Sequence, residues 1–597
     1  MPKYLSRPPY TGSSRKLVLA FDVGTTYSGV SYSILNPGEV PEIRGVTRFP
    51  AQEKTGGASK IPTVIYYDSS GVVQAAGAEA TRDGIQEEVD DKQWIKAEWF
   101  KLHLRPSDSI DPGEEALFGQ IPPLPLNKTV AEVFADFYRY LFNCTANYIR
   151  SSHANGPLLW SSIRHDIDFV LSHPNGWGGR EQAVLRQAAV LAGLVPDAKQ
   201  KSQDRISFVT EGEASLHFVI RSGILTSNLA NGEGILIVDA GGGTVDISSY
   251  KQEKQEKQMS FEEIAAPHCL FSGSLLVNFH AKQFIRGLLE DSKYIDDVDY
   301  IVRCFDARCK AAFKDEECPQ YIKFGNPRDN DPDRSIRSGQ LKLDGHDIKE
   351  FFVPSATAIK QSVLEQRTSG SKNIKHVVLV GGFSANDWLF NDLETFLLRL
   401  DPTLVLIRPE EHINKAVSDG AISFYLDHFV RARIAKFTYG TVCSIPYDPN
   451  DAAHIKRAAT KFVSPSGETR VPGVFCDILA KGTKVMEMTE FRGQFNQVAR
   501  SSSGFQRMAS PVWFYRGTHT EQRWKDLDPK NYDRLCTIYA DLSHLTLSPR
   551  RGRGGKSYYR VDYDIILLFG MTELKAQIAW REHGVEKRSP AVVVFDL

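Results

Sequence analysis

The sequence predicts an α/β chain of two similar lobes followed by a separate β-rich domain. A glycine-turn hairpin occurs twice, helical and strand periodicities mix around the two copies, and short β-rich runs take over from about Lys436. At 597 residues the chain exceeds what one hydrophobic core can serve, so several core-forming units are expected.

The first hairpin follows Lys16, where LVLAFDVGTTYSGVSYSIL gives an apolar run, a Gly-Thr-Thr turn and alternation in Val30, Tyr32 and Ile34. The second begins at Gly234, where ILIVDAGGGTVDISSY gives an apolar strand, a turn at Gly241, Gly242 and Gly243, and another strand. Between them, helical periodicity runs from Val130 to Arg150 and from Arg180 to Leu194, the latter after the strand-like Asp168-Phe-Val-Leu-Ser. Beyond the second hairpin, Ala281 to Leu289 and Val298 to Phe313 read as helix. His376 to Val380 reads as a buried strand delivered into Gly381-Gly382. From Lys436 the runs Phe437 to Ile445, Val471 to Leu479, Leu535 to Leu542, Tyr559 to Phe569 and Leu574 to Trp580 alternate with Gly/Pro/Ser turns.

Composition limits the partners. The formal net charge is −1, so the molecule as a whole has no field that would draw it to nucleic acid or an anionic membrane. No apolar run approaches the ~18 residues of a membrane span. Met1 to Ser14 lacks an apolar signal region, which makes the cytoplasm the expected location. The eight cysteines lie in a chain too long to need disulfide staples, and most are expected as buried thiols. Two low-complexity insertions, from Lys251 and from Pro549, read as solvated loop tips.

The chemistry lies in the turns. Gly24, Thr25 and Thr26 after a buried strand present successive backbone N–H groups and two hydroxyls to one point, which suits phosphate oxygens. Asp22 at the strand end would repel phosphate directly, so its natural role is to hold Mg²⁺ through water. Asp239, ahead of Gly241-Gly242-Gly243-Thr244, follows the same logic. Two such hairpins facing each other would clamp one polyphosphate. No G-x-x-x-x-G-K-[ST] loop is present, and Thr244-Val-Asp-Ile-Ser-Ser-Tyr alternates like a strand, unlike the helix that opens after a Rossmann turn.

Asp22-Val-Gly-Thr-Thr-Tyr-Ser, Asp239-Ala-Gly-Gly-Gly-Thr-Val-Asp and Val378-Leu-Val-Gly-Gly resemble, in order, the phosphate-1, phosphate-2 and adenosine motifs of the actin, heat-shock and sugar-kinase superfamily. Their flavour is that of the seventy-kilodalton heat-shock branch, and the text is most similar to the divergent, lid-lacking proteins of animals and fungi. The resemblance covers Lys16 to Leu426. It implies a two-lobed actin-like ATPase fold of duplicated ribonuclease-H-like lobes. The boundaries are 1–15 disordered, 16–230 lobe I, 231–428 lobe II with a return to lobe I, and 429–597 a β-rich domain related to a peptide-binding sandwich.

By position, the resemblance assigns Thr25, Thr26 and Tyr27 to the phosphate turn, Thr244 to the γ-phosphate and Asp246 to the Mg²⁺ water shell. Glu211 would sit near the attacking water, although Gly212 stands where the family carries proline. Lys101 in Trp99-Phe-Lys-Leu would reach the γ-phosphate, with Lys96 as its competitor. Asp306 would hold the ribose, Lys310 would cover the base, and Gly381 and Gly382 would pass under the adenosine. The implied ligands are ATP or ADP with Mg²⁺, and the implied macromolecular partner is unfolded or extended polypeptide. The basic, aromatic segment after Asp427 departs from the family's aliphatic-acidic linker. A chaperone-type ATPase, a sugar-type kinase on the same fold and a nucleotide-gated scaffold all remain open.

Overall fold

Leu17 to Val23 and Ile235 to Ala240 are apolar apart from one aspartate each, and every residue in both runs is buried. Such runs suit strands covered on both faces, and each becomes an interior strand of a sheet. The computed structural model describes residues 7–52, 59–105, 121–197, 205–224, 232–255, 258–370, 373–409, 413–486, 489–517, 524–569, 573–590 and 592–593.

In the first sheet, β1 (Lys16–Val23) pairs antiparallel with β2 (Tyr27–Leu35) and parallel with β4 (Ile167–His173). Strand β4 pairs parallel with β5 (Ile206–Thr210), and the short β3 (Ile61–Pro62) joins the start of β2. The second sheet repeats this pattern. There β6 (Gly234–Ala240) pairs antiparallel with β7 (Val245–Gln255) and parallel with β8 (Ile374–Val380), which pairs parallel with β9 (Val405–Ile407). Both aspartates therefore stand at the same end of equivalent strands, just before the turn.

Helix α1 (Val130–Ser152) begins in a capping box, in which Thr129 accepts from the Glu132 amide and the Glu132 carboxylate accepts from the Thr129 amide. Its buried face puts Phe134, Phe137 and Tyr138 with Phe21 and Phe169 in the core of the first sheet. Burying each such side chain stabilises the fold by about 1.5–3 kcal/mol. A second core joins Leu236 and Val377 to Phe351 and Phe352.

Two helices tie the sheets together. Helix α2 (Glu211–Arg221) follows β5 but packs on β6 and β7, whereas α4 (Ala416–Asp427) follows β9 and packs on β1, β2 and β4. They cross at Gly420, where a Cβ would lie 1.8 Å from the Ala214 carbonyl oxygen, so only glycine permits this approach. Between them in sequence lies α3 (Ser274–Leu288).

The described residues fall into two units, Met1–Trp177 with Val184–Val430, and Gly178–Ala183 with Arg431–Leu597. The second unit is built on antiparallel sheets. One carries strands Thr438–Pro446, Thr469–Leu479, Met508–Tyr515 and Tyr532–Ala540, and the other carries Glu490–Ala499, Ser557–Phe569 and Leu574–Glu582. Val512 and Ile538 of one share a core with Ile565 and Ile578 of the other. Among the described residues no helix is long and apolar enough to cross a membrane.

Three expectations need correction. Residues 1–15 were expected to be disordered; residues 1–6 lie outside the described residues, but Arg7 donates to both carboxylate oxygens of Asp427 at 2.8 Å and the Tyr10 amide to the Glu39 carbonyl at 2.8 Å. Lys251 to Gln255, read as a loop tip, continues β7 and pairs with Gln258–Glu263. Cys443 and Cys476, expected as thiols, form a disulfide between adjacent strands, whereas Cys144, Cys309 and Cys536 are buried thiols. The expected boundary at 230–231 lies outside the described residues.

Candidate functional site

The two glycine turns meet. A Cβ on Gly242 would lie 2.2 Å from Thr26 Oγ1, and one on Gly243 would lie 2.5 Å from Thr25 Oγ1. Gly24-Thr25-Thr26-Tyr27 and Gly241-Gly242-Gly243-Thr244 occupy equivalent places after β1 and β6, so these contacts are reciprocal, as across an approximate two-fold axis. Both turns close alike: the Gly241 amide donates to the Thr244 carbonyl at 2.9 Å, and Gly24 sits directly against the Tyr27 carbonyl.

The carbonyls of Gly241, Gly242 and Gly243 accept from the amides of Ser274, Leu275 and Gly273, at 3.1, 2.9 and 3.3 Å. In a trans peptide the N–H points opposite the C=O. The amides of Gly242, Gly243 and Thr244 therefore point away from the start of α3, an arrangement of donors suited to an anion.

Four carboxylates surround the turns. Asp22 and Asp239 end β1 and β6, Asp246 lies opposite Asp239 on β7, and Glu211 opens α2; all four are buried. Lys101 Nζ lies 2.5 Å from Glu211 Oε1 and 5.7 Å from the Trp177 ring centroid. Burial alone would lower the Lys101 pKa, but Glu211, with Asp22 and Asp246, outweighs it and holds the ammonium above its ordinary value. Lys96, the competitor, pairs with Glu98 at 2.6 Å instead.

Asp239 accepts from Ser215 Oγ at 2.7 Å, yet burial and then the Glu211 charge push its pKa up to about 7. Burial and Glu211 also raise Asp246 well above the usual carboxylate range, although the Asn175 amide donates to it. Asn175 further donates to Ser248 Oγ at 2.9 Å and accepts from the Gly212 amide at 3.3 Å. A Cβ on residue 212 would lie 2.3 Å from Ser248 Oγ, which gives the glycine there a local reason.

Of the residues expected at adenosine, Asp306 lies in a π-helical turn, Phe305–Cys309, a local widening found often at functional sites. It pairs with Lys310, whose ammonium also donates to the Ser274 carbonyl at 3.3 Å. Burial lowers the Lys310 pKa, offset in part by Asp306. Gly381 has φ +89° and rests on the Ala240 carbonyl and Asp239, positions that exclude a Cβ, while a Cβ on Gly382 would meet open space. Asn386 donates to the Lys310 carbonyl at 2.9 Å and so links this turn to the glycine pair.

Sequence reasoning missed Lys60, Ser172, Asn175 and Ser215. Lys60 Nζ lies 2.7 Å from Asp22 Oδ2, and Ser172 Oγ donates to Asp22 Oδ1 at 3.4 Å. Ser172 and Asn175, at and just after the end of β4, and Ser215, inside α2, leave no periodic mark in a sequence.

These residues fit a hydrated divalent cation. Asp246 Oδ2 is buried with no hydrogen-bond partner among the described residues, and carboxylates outnumber ammonium groups. Among the described residues no group of three His, Cys, Asp or Glu is placed to hold a metal ion directly.

No family model matches the chain. Mouse heat shock 70 kDa protein 12A is 23% identical over 510 residues, covering 71% of this chain and 71% of that protein. Its human counterpart is 23% identical over 513 residues with the same coverage. Human heat shock 70 kDa protein 12B is 22% identical over 522 residues, covering 74% of this chain and 73% of that protein. The chain is thus a distant relative of proteins named for the seventy-kilodalton heat-shock family.

Proposed function

We propose that the chain binds ATP with Mg²⁺ between the two lobes of an actin-like ATPase core and hydrolyses it slowly, as a divergent heat-shock-like protein. The observation that carries this reading is the reciprocal contact of the two turns, Thr25 and Thr26 against Gly243 and Gly242, with an aspartate before each. A polyphosphate held there would receive backbone N–H groups from both turns, the hydroxyls of Thr25, Thr26 and Thr244, and cover from Tyr27. Asp306 and Lys310 would take the ribose and base, with Gly381 and Gly382 beneath.

Asp22, Asp239 and Asp246 would hold the water shell of Mg²⁺, which when bound neutralises phosphate charge. Glu211 would orient the attacking water, and Lys101, now paired with Glu211, would turn to the transferring phosphoryl, so that catalysis comes from positioning and charge. The β-rich unit is read as taking extended polypeptide by strand addition, a reading supported by its exposed edge strand Phe462–Val463.

Mass spectrometry of nucleotide retained through gentle purification, followed by calorimetry with MgATP, tests the core claim. Retained ATP or ADP and measurable affinity are expected. Absence of any binding would overturn the reading, and phosphate release only in the presence of a sugar would favour a kinase.

A further inference from the structure

Lys60 precedes β3 and belongs to none of the motifs that mark the site, yet its ammonium reaches into the carboxylate cluster. Its side chain is 22% exposed, whereas that of Asp22, 2.7 Å from it, is 3% exposed, so a nearly buried carboxylate faces an ammonium and not bulk water. Several contacts fix this placement. The Lys60 stem lies over Gly29, where a Cβ would come 3.2 Å from Cγ. Gln52 donates to the Lys60 carbonyl at 3.0 Å, and β3 pairs Pro62 and Ile61 with Tyr27 and Ser28, directly behind the phosphate turn. The Thr63 amide donates to the Thr26 carbonyl at 2.9 Å. Any shift of the phosphate turn therefore carries Lys60 with it.

The charges of the cluster make the position matter. Four buried carboxylates, Asp22, Asp239, Asp246 and Glu211, are opposed by Lys101, already held by Glu211, and by Lys60. An anionic polyphosphate entering this site needs positive charge on the Asp22 side. A lysine is a compact point charge on a flexible stem, able to pair with Asp22 and then extend to a phosphate oxygen without leaving the turn.

Resting on the nucleotide-binding reading above, we propose that Lys60 is a resident cation of the site, neutralising Asp22 and contacting phosphate, so that ATP binding survives removal of Mg²⁺. Divalent cation then adds to affinity without being required for it.

The test compares ATP affinity by calorimetry in excess Mg²⁺ and in excess EDTA, for the full chain and for Lys60→Gln and Lys60→Arg, with circular dichroism as the check on folding. In the parent, EDTA is expected to weaken binding by less than about tenfold, while in Lys60→Gln it weakens binding by a further ten- to hundredfold, the worth of about one charge-assisted hydrogen bond. Lys60→Arg, which keeps the charge, should behave like the parent. A parent that binds MgATP but loses it in EDTA by more than about a thousandfold overturns the role of Lys60, as does a Lys60→Gln protein with the parent's ratio. A parent that binds no MgATP overturns the nucleotide reading itself, so the two failures are distinct.

Discussion

Lys101 and Glu211 form a buried ion pair, with Nζ 2.5 Å from Oε1 and side chains only 4% and 11% exposed. Removing one partner strands a charge in a dry site, which typically costs about 3–5 kcal/mol, whereas removing both is close to neutral. Lys101→Met and Glu211→Gln should each lower the denaturation midpoint, and the double variant should recover most of that loss. Turnover behaves differently if the pair is catalytic. All three variants are expected to lose on the order of 10²–10³-fold in single-turnover hydrolysis, the effect of removing one preorganised electrostatic group. Parent-level hydrolysis in the double variant would make the pair structural.

The contact between Gly242 and Thr26 predicts a steric failure. Gly242→Ala places a methyl group 2.2 Å from Thr26 Oγ1 and 3.0 Å from its Cβ, so rotating the threonine does not relieve the clash. A cost of about 1–3 kcal/mol is expected from overpacking, together with loss of nucleotide binding. Adding Thr26→Gly should restore the melting temperature without restoring affinity, because the hydroxyl proposed for phosphate is then gone. Recovery of both would show that Thr26 contributes only bulk.

The hairpins were legible because a buried strand, a glycine turn and a second strand leave a local signature, and Asp22 and Asp239 stand at fixed offsets within it. Lys101 was legible only through resemblance, since a lone lysine beside Trp99 and Phe100 has no periodic meaning. Lys60 left no trace: its partner Asp22 is distant in sequence, and Ala58-Ser59-Lys60 looks like any polar approach to a strand. Arg7 was misread for the same reason, because its partner Asp427 is 420 positions away and local composition reports only the polar start. The end of β7 was misjudged differently. Charged and amide side chains from Lys251 to Gln255 read as loop, but ladder pairing with Gln258–Glu263 overrode their weak β propensity.

The clasp on Asp427 predicts an acid-labile step. Burial alone would raise the Asp427 pKa, but Arg7 and Arg221 outweigh it and hold it at about 2. A carboxylate with a depressed folded pKa gives stability that is present above its unfolded value, near 3.8, and lost as pH falls towards 2. The shift corresponds to roughly 2 kcal/mol. Stability measured between pH 5 and pH 2 should therefore fall less steeply in Asp427→Asn than in the parent, and Arg7→Ala should flatten the same window by raising the folded pKa. An unchanged slope in both variants would show that the clasp adds nothing in solution.

Asp239 gives the opposite sign. Burial and Glu211 raise its pKa to about 7, so near neutral pH the carboxyl of the cation-free protein carries about half a proton. A folded value above the unfolded one means that the contribution of Asp239 to the stability of the cation-free protein is fully present below about 4 and is lost as pH rises from about 4 to about 7. A divalent cation favours the ionised form, so its arrival must expel the proton. Calorimetry of MgATP binding at pH 7, in buffers of differing ionisation enthalpy, should therefore show proton release, and affinity should rise with pH across that window. Asp239→Asn removes the titrating group. It should reduce the proton release to the share that Asp246 still supplies, weaken the Mg²⁺-dependent part of the affinity, and leave the cation-free protein more stable at pH 8 than the parent. Asp22→Asn should weaken binding through the loss of the Lys60 anchor while preserving the proton release, because Asp239 still titrates. If Asp239→Asn releases protons as the parent does, the ion does not meet Asp239.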